Sequence, residues 1–95
     1  MFKRNDNADT GMSSFHSVEV EASIETLTRL FGASGRGDGG YKTKHSWIFE
    51  GEKFNAEVYD YRYDGAREGH WHIGTENKAQ AIVFARWLEA HLNEE

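Results

Sequence analysis

Ala81, Phe84, Ala85, Leu88 and Leu92 recur at intervals of three and four residues, so a helix over 76–93 places all five on one face. A stripe of this kind must be buried against a second apolar layer. Thr75, directly before it, is of the N-capping type. Trp87 flanks the stripe on one side and Ile82 on the other, with Val83 beyond Trp87. The apolar arc is therefore wider than one sheet contact needs. One reading is a helix sunk in a compact core. The other makes Val83 and Trp87 part of a surface for a partner or for a homo-oligomer.

The second layer is visible upstream. Phe15 to Ala22 carries Phe15, Val18 and Val20 among polar residues and reads as a strand. Ser23 is a good N-cap for Ile24, Leu27, Leu30 and Phe31 at helical spacing, and Gly32 is placed to stop that helix. The stretch 32–40 holds five of the ten glycines and reads as a flexible connection. Tyr41 to Glu50 and Lys53 to Tyr63 read as a hairpin closed by Gly51-Glu52 in a two-residue turn. A polar turn containing Asp64-Gly65 leads to a short strand, His70 to Gly74. The expected order is β-α-β-β-β-α, an α+β domain over 15–95 whose antiparallel sheet carries both helices on one face. Residues 1–14 are polar and unpatterned and read as a disordered tail.

Composition narrows the function classes. Ninety-five residues make at most one domain, with a thin margin for a core. Three Trp, four Tyr and six Phe help, because large rings bury much area each. The chain has no Cys, so it has neither disulfides nor thiolate metal sites. It has no apolar run of membrane-spanning length and no secretion signal, which makes the cytoplasm the expected location. A net charge of −5 argues against non-specific nucleic-acid binding, which needs clustered cations. The same charge suits a basic partner surface.

Alternation assigns the two faces of the sheet. Phe54, Ala56 and Val58 share one side, Asn55, Glu57, Tyr59 and Tyr61 the other. Trp47 and Phe49 fit beside the first set, as do Trp71 and Ile73. The opposite face would carry Lys42, Lys44, Glu57, Tyr59, Tyr61, His70 and His72. Such a platform suits a protein contact, with Tyr59, Tyr61, Arg62 and His72 as its centre. It also suits a nucleotide, stacked on Tyr59, Tyr61 or Trp71 and held through its phosphate by Lys42, Lys44, Arg62 or Arg67. A homo-oligomer would deepen such a site. The bland reading is that Tyr and His populate an open sheet face because they suit strands.

No catalytic constellation emerges from spacing. His70 and His72 share a strand face and form a feasible ligand pair, with His45 or Glu57 as a third, but the chain lacks the usual metal motifs and no metal is assigned. Gly35-x-Gly37 is followed by no Lys-Ser/Thr and leads into a strand, so it is not a phosphate cradle. Arg36-Gly37-Asp38, in a chain without secretion signals, is a chance tripeptide. Asp60 lies on the Val58 side and needs a partner, with Arg62 or Lys53 as candidates. The expectation is a non-enzymatic module without a cofactor.

The succession of helix, three-stranded meander and helix is similar in order to double-stranded-RNA-binding domains. Their junction pattern is Ser-Lys-Lys-x-Ala-Lys. Here it reads Thr75-Glu76-Asn77-Lys78-Ala79-Gln80, and only Ala79 agrees. The lysines that would grip phosphates are missing. Trp47-x-Phe49-Glu50, Tyr59-Asp60-Tyr61-Arg62 and Trp71-His72-Ile73-Gly74, spread over Lys42 to Gly74, resemble a pattern in small proteins of bacteriophages and prophages. That resemblance implies an accessory or inhibitor protein acting on a host protein in the host cytoplasm, in host takeover or against host defence.

Overall fold

The computed structural model describes residues 2–9, 15–35, 45–60 and 69–93. Its elements are β1 (Lys3–Arg4), β2 (Phe15–Glu21), α1 (Ile24–Phe31), β3 (Ser46–Glu50), β4 (Asn55–Tyr59), β5 (His70–Thr75) and α2 (Lys78–Asn93). The β-α-β-β-β-α order read from the sequence is the order found, with β1 added in front. The strands form one antiparallel sheet in the order β1-β3-β4-β5-β2.

Both helices cover one face. Val20, Trp47, Phe49, Ala56, Val58, Trp71 and Ile73 supply the sheet side of the core. Leu27 enters from α1, and Ala81, Phe84, Ala85 and Leu88 from α2. Cross-strand register explains this set. Trp47 faces Val58, which faces Ile73, and Val20 faces Trp71, so alternate residues of four strands converge on one side.

α1 is fixed to the sheet at both ends by tryptophans. Ser23 Oγ accepts from the Thr26 N–H (3.1 Å), and Gly32, at φ +90°, ends the helix with its N–H on Thr28 O (2.8 Å). Trp71 Nε1–H donates to Ala22 O, just before the helix, and Trp47 Nε1–H to Gly32 O, just after it, each at 2.9 Å. The two indoles meet edge to face at 5.2 Å. Each ring thus buries its apolar body and satisfies its one donor on a main-chain carbonyl that flanks the helix.

Three expectations change. Residues 2–9, read as part of a tail, contain β1 and join the core. Lys3 pairs with Glu50 and Arg4 with Phe49, and Phe2 packs its ring against Phe54, Phe84 and Trp87 at 5.0–5.3 Å. Arg4 also donates from Nη1 to Phe31 O and pairs with Asp6 at 2.8 Å. A two-residue strand carries no period, so alternation could not announce it. The hairpin turn is longer than two residues. Glu50 pairs with Asn55, leaving 51–54 as the connection, with Gly51 N–H donating to Phe54 O (3.0 Å). The cap of α2 is Asn77, whose Oδ1 accepts from Gln80 N–H (3.0 Å). Thr75 instead ends β5, fully buried, its hydroxyl donating to Asn77 O.

Candidate functional site

The register defines the face away from the helices row by row. Ser46, Tyr59, His72 and Glu19 form one row, Ile48, Glu57 and Gly74 the next, and Lys3, Glu50 and Asn55 a third. Glu21 and His70 form a fourth, with Glu21 Oε1 3.6 Å from His70 Nε2. Lys3 Nζ approaches Glu50 Oε1 at 3.8 Å. Among the described residues this face therefore carries four carboxylates, Glu19, Glu21, Glu50 and Glu57, and one lysine, Lys3.

The face is not uniformly bare. Tyr59 lies on it as expected but is only 8% exposed, its ring stacked on His72 at 5.5 Å. A stack between neighbouring central strands lays the tyrosine flat against its neighbour, so it offers less surface than the alternation implies. Ser46 is also buried, while His72, Ile48 and Glu57 are half-buried. At the Asn55 end the N-terminal segment comes onto this face. Asn55 Nδ2 donates to Asp9 O at 2.9 Å, across 46 positions of sequence. Asp9 thus lies against the side of the sheet without helices. No sequence signal marks this contact, since one amide bonding to a main-chain carbonyl leaves no pattern.

Trp71, a candidate stacking ring, belongs to the core at 4% exposure, with its N–H committed to Ala22 O. The branched Ile73 two residues on draws both side chains to the helix side. His72 lies on the proposed face. Lys42, Lys44, Tyr61, Arg62 and Arg67 lie outside the described residues. Trp87 points inward, its ring against Phe2, Phe31, Phe49, Phe84 and His91, so Val83 alone of the proposed oligomer pair stands in solvent.

His45 lies apart from His70 and His72. It follows the core-face parity of Trp47, its ring lies against Trp71 at 6.5 Å, and its Nδ1 shares a 2.8 Å hydrogen bond with Ser34 Oγ. Asp60 accepts from the His45 main-chain N–H (2.9 Å), and Arg62, one of its candidate partners, lies outside the described residues. The serine, histidine and aspartate do come together, across 11 and 15 positions, but this carboxylate contact anchors the backbone and does not orient the imidazole for base catalysis. Among the described residues no group of three His, Asp or Glu could hold a metal ion, and no helix is long and apolar enough to cross a membrane. No protein-family model matches this chain, and no curated protein or solved structure is detectably similar to it.

Proposed function

We propose that this chain is a non-enzymatic binding module that seats the open face of its sheet on a basic surface of another protein. One observation carries the reading: four carboxylates against one lysine among the described residues of that face, in a chain of net charge −5. Complementary charge of this kind speeds encounter and selects partners, and it weakens with salt. His72 and Ile48, half-buried between the glutamates, supply apolar contact. The resemblance of the three tryptophan- and tyrosine-bearing motifs to phage proteins supplies the setting, an accessory or inhibitor protein that occupies a host protein in host takeover or anti-defence. In the fold, Trp47, Phe49, Trp71 and Ile73 of those motifs are core residues, and Glu50, Tyr59 and His72 lie on the open face. A nucleotide-binding reading has less support, because its described stacking rings, Trp71 and Tyr59, are nearly buried.

Capture from bacterial lysate on the immobilised chain tests the proposal. The expected result is a basic protein that is retained at low salt, released at high salt, and lost by the Glu19→Lys/Glu21→Lys variant. Both residues are exposed, so the variant keeps its fold. Failure to retain any protein at low salt, or full retention by the variant, removes the reading.

A further inference from the structure

We propose that the outward face of α2 is a self-association surface on which a second copy of this chain docks antiparallel. Ile82 and Val83 are the large aliphatic side chains left exposed among the described residues, at 37% and 53%. They are neighbours on the helix, with exposed Ala79 and Ala90 on either side. This surface is opposite to the core stripe and distinct from the open face of the sheet.

Its pattern is self-complementary. Ala79, Val83, Arg86 and Ala90 follow at spacings of four, three and four, so the series of positions is the same from either end. A two-fold axis in the contact, perpendicular to the helix and level with the midpoint between Phe84 and Ala85, sets Ala79 of one copy opposite Ala90 of the other, and Val83 opposite Arg86. Alanine at both ends permits a close approach of the two helices. The Arg86 methylene stem covers the facing valine while its guanidinium stays in water.

Charge selects the direction. Lys78 and Glu89 are three turns apart and lie on the same flank of this stripe, beside Ile82. An antiparallel copy brings Lys78 against Glu89 at both ends of the contact. A parallel copy would carry its Lys78 and Glu89 to the far side of the contact, where neither charge meets its counterpart. Among the described residues, Lys78, Arg86 and Glu89 make no ion pair or side-chain hydrogen bond within the chain, so each is available to a second copy. A single four-turn helix face buries less than the area of a standard stable interface. The dimer is therefore weak, with affinity in the micromolar range or below, and forms as concentration rises.

Sedimentation velocity across micromolar to millimolar concentrations tests this on the full chain, with circular dichroism confirming that each variant folds. The wild type shifts from monomer to dimer. Val83→Asp and Lys78→Glu each raise the dissociation constant by about tenfold or more. The double variant Lys78→Glu/Glu89→Lys returns it to the wild-type value, because the exchange restores opposite charges only in the antiparallel arrangement. A wild type that stays monomeric at millimolar concentration overturns the proposal. So does a double variant as weak as the single Lys78→Glu.

Discussion

Gly51 is the residue at which the N-terminal segment and the β3–β4 connection meet. A Cβ built there would lie 2.5 Å from the Phe2 ring and 2.6 Å from Phe54 O, closer than real contacts allow. Gly51→Ala must therefore displace Phe2 from Phe54, Phe84 and Trp87, or distort the turn. The expected loss is about 2 kcal/mol, the scale of overpacking a fitted site, read from urea denaturation. A variant as stable as the wild type would mean that Phe2 does not pack there. Phe2 shows how a core residue escapes a sequence reading, since one ring in a polar stretch has no periodic neighbours to vouch for it. Val58 and Ile73 were legible from alternation in their own strands, and Trp47 and Phe49 because Ile48 between them shares its side with Ser46 and Glu50. Trp71 obeys the same alternation, and its burial beside Ile73 outweighs the binding role its ring suggested.

At the scale of elements, types and faces were more legible than ends. The expected turn at Gly51-Glu52 would pair Glu50 with Lys53, whereas the structure pairs Glu50 with Asn55. This slip is two residues, and the side-chain period of a strand is also two. Every residue of β3 and β4 consequently keeps its face although the turn is different. The start of α2 misleads for another reason. Thr75 and Asn77 are both capping types, and the choice between them depends on tertiary register, which sends Thr75 inward behind Trp71 and Ile73. Asn77→Ala should cost about 1 kcal/mol by removing the acceptor for Gln80 N–H, and Asn77→Ser should recover most of it. Thermal unfolding of the two variants decides this, and an unchanged midpoint for Asn77→Ala would contradict the assigned cap. The tryptophan contacts at the two ends of α1 had no signal at all, because hydrogen bonds spanning 15 and 49 positions leave no local trace.

The whole molecule is a sheet with two unlike sides and two unlike edges. One side is closed by helices over a ring-rich core, and the other, among the described residues, carries carboxylates and Asp9, held by Asn55. The outer edge of β3 is covered by β1, by Asn5 N–H on Ile48 O, and by the Gly35 bridge to Ser46. The β2 edge has a register irregularity between Phe15 and Val18, a feature that discourages indiscriminate strand pairing. With one edge covered and the other irregular, the broad open face is the surface best suited to a partner. Zero-length carbodiimide coupling of the captured complex, read by mass spectrometry, tests that claim most directly because it joins carboxylates only to amines in contact. Cross-links from Glu19, Glu21 or Glu57 to lysines of the bound protein are the predicted result, and cross-links confined to Glu89 and the other carboxylates of the helix side would contradict it.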